Sequence, residues 1–199
     1  MKKVLLYSGG MDSYIINHLW KPDVKLYIDY GTKQTAEERK RLPEDVIVKE
    51  IDLSQYIEND GISTIPLRNL LFATIAVNYG DIIAIGGVKD DLHFDKTKKF
   101  ARRTTKLFNS VLSKEQSKRK VKVVVPYKDY TKTQLLRMYI AQGGSIEDLK
   151  NNSWSCHYPI NNKECGKCSP CKRKNYAIAK VKELQEVDSY PKHTGHFFY

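Results

Sequence analysis

Apolar positions along this chain repeat with two periods. Val4-Leu5-Leu6-Tyr7 forms a short unbroken apolar run, and Val24-Lys25-Leu26-Tyr27-Ile28-Asp29 alternates in the manner of a half-buried strand. Residues 46–51, 82–85 and 121–125 supply three more runs of the same kind. Between them the spacing changes to that of helices. Tyr14, Ile15, Ile16 and Leu19 follow the first run, and a short, highly charged helix is expected over 35–42. A helix apolar on most sides is expected over 68–79, and one with Phe100, Leu107, Phe108, Val111 and Leu112 on one face over 100–112. Thr131 caps a helix that runs to about Gln142, where Gly143-Gly144 stops it. Residues 54–66 lack periodicity and read as a loop.

Strands alternating with helices predict a parallel, five-stranded, Rossmann-like α/β sheet with helices on both faces. Ligands of such sheets bind beyond the carboxyl ends of the strands, where the strand order reverses. Tyr30-Gly31, Gly86-Gly87 and the residues from Pro126 onward all lie at such ends. A chain of 199 residues accommodates one domain, or one with an appendage. The expected division is an α/β domain over 1–150 and a C-terminal segment over 151–199.

The turn after the first strand, Ser8-Gly9-Gly10-Met11-Asp12-Ser13, is the first candidate for chemistry. A strand–glycine turn–helix unit gathers unpaired backbone N–H groups and the positive end of a helix dipole at one point, which suits a polyphosphate. Glycines let the chain approach an anion, and Ser8 and Ser13 add hydroxyls. The simpler reading is an ordinary strand–helix turn in which Asp12 or Ser13 caps the helix. No lysine follows the glycines, so this is not the G-x-x-x-x-G-K-[ST] phosphate loop. The segment resembles the S-G-G-x-D-S loop of the ATP pyrophosphatase (PP-loop) superfamily. That resemblance implies cleavage of ATP between its α and β phosphates, with Tyr7 to Ser13 gripping the departing pyrophosphate.

Charge sharpens the picture only a little. The net charge of +11 favours anionic partners, whether a phosphate-bearing substrate or a nucleic acid, although a solvated basic face explains it equally well. Much of the excess lies over 96–106 and 114–122. No apolar run approaches the roughly 20 residues that span a bilayer. The basic start reaches Ser8-Gly9-Gly10 too soon for a signal peptide, so a cytoplasmic location is expected.

All four cysteines fall within one short span: Cys156, Cys165, Cys168 and Cys171. The x2 intervals let neighbouring sulfurs point at one centre from a tight turn, and Gly166 and Pro170 supply the turn chemistry. Four thiolates can surround one tetrahedral zinc and leave no open position, which predicts a structural Zn²⁺, one per chain. An iron–sulfur cluster uses the same ligand set and stays open. His157, beside a ligand, is not needed as a substitute. A disulfide is not expected in a chain without an export signal. Such a knuckle would anchor residues 151–174 and a closing helix over 175–185.

With both motifs placed, the chain from Met1 to about Ala179 resembles the 7-cyano-7-deazaguanine synthases, the QueC family. Besides the loop, the likeness is carried by Ile28-Asp29-Tyr30-Gly31, Ile65-Pro66-Leu67-Arg68-Asn69, Ile85-Gly86-Gly87-Val88, Pro126 with Thr131-Lys132, and Trp154-Ser155-Cys156 with Cys165, Cys168 and Cys171. The resemblance implies an adenine nucleotide alpha hydrolase-like fold and conversion of 7-carboxy-7-deazaguanine to its nitrile with ammonia and Mg-ATP. The route would pass through an adenylated carboxylate and an amide, releasing AMP and pyrophosphate. Lys132 would neutralise pyrophosphate, unless it is a plain surface lysine. Arg68 would contact phosphate or the substrate carboxylate, unless it is held in a structural ion pair. Asp12 would orient the loop or a Mg²⁺-bound water. Lys33 joins the expected catalytic set, and Asn69 and Asp95 the substrate contacts, with Asp95 otherwise an exposed loop acid. The resemblance also admits a homodimer, and it needs no nucleic acid for catalysis.

The chain departs from the family pattern in two places. Family members commonly carry Tyr-Pro-Asp-Cys-Arg-Pro-Glu-Phe, where this chain reads His93-Phe94-Asp95-Lys96-Thr97-Lys98-Lys99-Phe100. The family's Gln-Arg-His after Tyr-Gly is Thr32-Lys33-Gln34 here. These changes bear on the acceptor, so a relative that stops at the amide or uses another acceptor remains an alternative. So do a tRNA-modifying PP-loop enzyme and, from another class, a zinc-knuckle nucleic-acid-binding module. A reductase of adenylylated sulfate is disfavoured because such proteins lack the intact loop.

Overall fold

The computed structural model describes residues 1–57, 65–112 and 119–187. The expected loop over 54–66, the second basic stretch and residues 188–199 lie partly or wholly outside them. Five strands, β1 (Lys3–Leu6), β2 (Val24–Asp29), β3 (Val46–Glu50), β4 (Ile82–Ile85) and β5 (Lys122–Val124), form one parallel sheet in the order β3-β2-β1-β4-β5. The chain leaves β3 at one edge and re-enters beside β1, so the order reverses between β1 and β4.

The helices are α1 (Met11–Trp20), α2 (Lys33–Arg39), α3 (Arg68–Ala76), α4 (Lys98–Leu112), α5 (Lys132–Ala141), α6 (Ile146–Asn152) and α7 (Ser169–Val187). Alternation along the strands sends Leu5, Tyr27 and Ala84 to one face, packed with Ile15, Ile16, Leu135, Leu136, Leu149 and Ile178 from α1, α5, α6 and α7. Val4, Leu26, Ile28, Ile83 and Ile85 point the other way, onto Phe72, Ala73 and Ala76 of α3 and Ala101 of α4. Both faces are covered, which is why β1 and β4 carry nearly continuous apolar runs. Each fully buried aliphatic side chain contributes about 1.5–3 kcal/mol relative to exposure.

The five-stranded parallel sheet with helices on both faces agrees with the sequence reading, as does the clustering of the four cysteines. Element limits moved. The charged helix begins earlier because Thr32 and Thr35 form a reciprocal cap at its start. The last helix begins at Ser169, six residues before the expected Asn175, because Pro170 suits a first helical turn. Helix α6 was not foreseen. Its signal is Ser145-Ile146-Glu147-Asp148, in which Ser145 Oγ accepts from Asp148 N at 3.0 Å and two acids sit in the first turn.

The turn after α5 yields a test. Gly143 has φ +87° and open space around it, whereas a Cβ on Gly144 would meet the Tyr139 ring at 2.2 Å. Gly143→Ala is expected to cost about 1 kcal/mol through the left-handed backbone. Gly144→Ala is expected to cost more, about 1–3 kcal/mol through overpacking of a buried ring. Urea denaturation of both variants gives the order directly.

Candidate active site

The carboxyl ends of β1, β2 and β4 open into a cleft of about 330 Å³. The scale is that of a small-molecule site, and its place at the reversal point of the sheet is where such folds hold ligands. Leu6, Ile28 and Ile85 close the strand ends, and the loop residues Tyr7, Ser8, Gly10, Met11, Asp12 and Ser13 form one wall.

The loop is held in shape before any ligand arrives. Gly9 sits at φ +70°, a conformation costly for a side-chain-bearing residue, and turns the chain out of β1. Gly10 caps α1 without a side chain, so the capping reading of this turn does not describe it. Ser13 Oγ donates to Gly10 O at 3.0 Å, Ser8 Oγ lies 3.2 Å from Ser13 Oγ, and Gly10 N donates to Ser8 Oγ at 3.4 Å. From the far end of the chain, Trp154 N donates to Gly9 O at 2.8 Å, and Ser155 Oγ accepts from Met11 N at 3.3 Å. A second helix start meets the first here. Lys132, the first residue of α5, pairs through Nζ with Asp12. Its neighbour Thr131 is engaged in a reciprocal cap with Gln134.

The opposite wall comes from the start of α3. Arg68 donates from Nη1 to Tyr30 Oη at 3.0 Å and lies over the Tyr30 ring, 5.1 Å from its centre. It makes no ion pair among the described residues. Asn69 is 6% exposed, lines the cleft, and its Nδ2 has no hydrogen-bond partner among the described residues. An orphaned buried donor costs about 1–3 kcal/mol, and its position beside the cleft offers that donor to a ligand.

The loop after β4 forms the rim. Asp95 and Lys96 line the cleft with His93, while Phe94 and Leu92 are 90% exposed. This loop is pinned by buried Asp91. Burial raises its carboxyl, but Lys96, the Val88 N–H, Lys132 and Arg173 together hold it below the ordinary range. Lys128 Nζ adds bonds of 2.7 Å to both Val88 O and Asp91 O.

Of the residues expected from sequence, the structure brings Ser8, Gly10, Met11, Asp12, Ser13, Tyr7, Arg68, Asn69, Asp95 and Lys132 to this one cleft. Lys33 is not among them. It stands exposed at the first position of α2, while Gln34 and Glu38 on the same helix turn inward. Glu38, absent from the sequence reading, accepts from Tyr27 Oη at 3.0 Å. Half-buried against β2, it loses part of its hydration, and this pushes its carboxyl up to about 7 against the lowering effects of Tyr27 and Arg68. Thr35 and Glu38 lie one turn apart on the face that meets Tyr27, a placement that only the packing of α2 on β2 reveals. Ser155, His157, Pro170 and Arg173 also line the cleft from the C-terminal segment.

Beside the cleft, the Sγ atoms of Cys156, Cys165, Cys168 and Cys171 all lie within 4.8 Å of one another. Lys167 N and Cys168 N donate to Cys165 Sγ, both at 3.4 Å, and Cys165 N donates to Cys156 Sγ at 3.2 Å. Bonds of this kind stabilise thiolates, and they draw the Cys165 thiol down to about 6. A compact set of four sulfurs fits one metal ion. The cluster is tied to α7 by Lys174, 2% exposed, which bonds Ser153 O at 2.9 Å and Glu164 at 3.1 Å, while Glu164 accepts from Ser155 N at 2.6 Å.

The family model described as Queuosine biosynthesis protein QueC matches residues 44–182, more than half of the chain. The chain belongs to the QueC family. It is 28% identical over 89% of its length, and 92% of the relative's, to a 7-cyano-7-deazaguanine synthase of Persephonella marina. A synthase of the same name from Methanobrevibacter smithii is 25% identical, with 94% of this chain and 98% of that one covered. A solved structure of the U34-tRNA thiolase NcsA from Methanococcus maripaludis with its [4Fe-4S] cluster aligns at TM-score 0.42 and 16% identity. That alignment covers 95% of this chain and 73% of the thiolase, too slight a likeness to bear on chemistry. Among the described residues no helix of this QueC-family chain is long and apolar enough to cross a membrane.

Glu38 makes stability depend on pH in a defined sense. Its carboxyl rises from 4.5 to about 7 on folding, so the folded state holds a proton that the unfolded chain has lost between those values. The contribution of Glu38 is therefore most favourable below pH 4.5 and declines as pH rises to about 7. Glu38→Gln removes that decline. Thermal melts are expected to show the variant gaining on the parent across this interval and remaining more stable above it.

Proposed function

We propose that this chain is an ATP-dependent ligase that converts 7-carboxy-7-deazaguanine and ammonia to 7-cyano-7-deazaguanine, with release of AMP and pyrophosphate. The observation that carries the reading is the meeting, in one cleft, of the Ser8–Ser13 loop with the Arg68–Asn69 wall. The names of the relatives supply the substrate. A carboxylate is a poor electrophile. Its oxygen attacks the α-phosphorus of ATP, pyrophosphate leaves, and the resulting mixed anhydride carries a good leaving group.

The loop N–H groups, the Ser8 and Ser13 hydroxyls and Lys132 hold the pyrophosphate charge where it develops. Asp12 positions Lys132 and, with Mg-ATP bound, the magnesium ion, which neutralises phosphate charge. Arg68 faces the substrate carboxylate, the free Nδ2 of Asn69 donates to the substrate, and Asp95 on the rim accepts N–H donors of the guanine-like ring. Ammonia displaces AMP to give the amide. Adenylation of the amide oxygen and loss of AMP then give the nitrile.

The four sulfurs hold one structural Zn²⁺ in this reading. Sulfur transfer to RNA is disfavoured because it needs a cysteine free to carry sulfur, and all four belong to the cluster. The ATP requirement and the thiol set fit a cytoplasmic location, and a homodimer accords with the family.

Incubation with 7-carboxy-7-deazaguanine, ammonium and Mg-ATP should give AMP, pyrophosphate and the nitrile by mass spectrometry. ADP, no turnover, or an amide that accumulates without nitrile would refute the assignment. Arg68→Ala and Lys132→Ala should each lower kcat/KM by about 10²–10³, the cost of one preorganised charge-stabilising donor. Asn69→Ala should raise KM for the acid and leave that for ATP unchanged. Elemental analysis should find one zinc per chain, lost together with solubility in Cys168→Ser; iron, or no metal, would reject zinc.

A further inference from the structure

The proposed reaction needs a base that the residues so far assigned do not provide. Ammonia is present at neutral pH as ammonium, whose nitrogen lone pair is occupied by a proton, as in a lysine ammonium. Each ammonium consumed must lose that proton before nitrogen can attack carbon. The later step from amide to nitrile strips N–H protons again. Among the cleft-lining carboxylates, Asp12 is paired with Lys132, and Asp95 lies out on the rim beside Lys96.

Glu38 differs from both. It lines the cleft, has no salt-bridge partner within 4 Å among the described residues, and is held in one orientation by Tyr27 Oη at 3.0 Å. The charged and titratable groups that bear on it are Tyr27 and Asp29 from β2, Tyr30 just after that strand, and Arg68 from α3. Of these, Arg68 is the residue assigned to the substrate carboxylate. Glu38 is thus an acid with no salt-bridge partner among the described residues, lining the same cleft as Arg68 and within its electrostatic reach, in a protein whose +11 charge otherwise repels a cation.

We infer that Glu38 is the ammonium-binding general base of this site, with Tyr27 as its positioning residue. The inference rests on the ligase reading. Ammonium gives one proton to a Glu38 carboxylate oxygen, which becomes a neutral carboxylic acid. The freed lone pair forms the C–N bond to the carbonyl carbon of the mixed anhydride. The carbon–oxygen bond to phosphate breaks and AMP leaves with its electron pair, while the surplus N–H proton passes to water. A base is most effective when its pKa lies near the working pH, and the partial loss of hydration at Glu38 places its carboxyl at about 7.

The test separates activation from amination. Wild-type protein should exchange pyrophosphate with ATP when 7-carboxy-7-deazaguanine is present and ammonium is withheld. Glu38→Gln should keep that exchange and its fold, yet lose amide and nitrile formation by about 10²-fold or more, the usual share of a general base. With hydroxylamine, unprotonated at neutral pH, the two proteins should form hydroxamate at similar rates. Tyr27→Phe removes a bond that favours ionised Glu38, so the rising limb of the wild-type pH–rate profile should move up by about one unit.

A Glu38→Gln enzyme that makes amide and nitrile at the wild-type rate, or that loses exchange as well, overturns the inference. So does an unmoved profile in Tyr27→Phe. Failure of the wild type itself to exchange pyrophosphate with this acid overturns the ligase reading, and the inference with it.

Discussion

The Ser8–Ser13 loop depends on a main-chain hydrogen bond that joins distant parts of the chain, from Trp154 N to Gly9 O. A Ser-Gly-Gly turn is poor in side-chain contacts and rich in conformational freedom, so glycine alone would leave it loose. The Trp154–Ser155 segment removes that freedom from outside, with the Ser155 hydroxyl occupying the Met11 N–H. The segment is in turn fixed by Glu164, and Glu164 by buried Lys174, which also takes Ser153 O. Arg41 stacks on the Trp154 ring, 3.5 Å from its centre, and joins the region after α2 to the same assembly. The segment that carries the cysteine cluster is therefore connected to the loop by hydrogen bonds from Trp154 and Ser155.

The same logic explains why a sheet with such short strands can support a site. Strands of three to six residues carry little shape by themselves. What places the cleft is the reversal between β1 and β4, which splits the helices that follow them to opposite faces. Two helix starts, α1 and α5, then meet at the opening, with Met11 and Asp12 of the first and Lys132 of the second lining it. α3 faces them with Arg68. Leu67, just before it, is held at φ 58°, a left-handed conformation that turns the chain sharply into the cleft wall.

Much of this was legible in the sequence because it rests on local rules. Period-two and helical apolar patterns gave the strands and their order along the chain, and the glycine–serine turn and cysteine spacing marked two sites. Helix limits were displaced where side-chain caps, as at Thr32 and Ser145, outweighed the apolar pattern. The inward turn of α2 was not legible. Its helix is charged at most positions, and only the pairing of Tyr27 with Thr35 and Glu38 across β2 and α2 shows which charge is buried. Lys33 and Glu38 are five residues apart on that helix, and no sequence rule distinguishes the residue that faces solvent from the one that faces the cleft. The contacts of Ser155 and Arg173 were hidden for another reason: they depend on long-range packing.

One feature of the loop changes what its cation can do. Lys132 meets any incoming phosphate already satisfied by Asp12. A ligand gains that lysine only by displacing a carboxylate or by bringing a metal ion that takes the carboxylate over. A triphosphate or pyrophosphate carries enough charge for this exchange, and a monophosphate carries much less. On the ligase reading proposed above, the pair would act as a threshold on ligand charge, yielding its lysine to ATP or pyrophosphate more readily than to AMP.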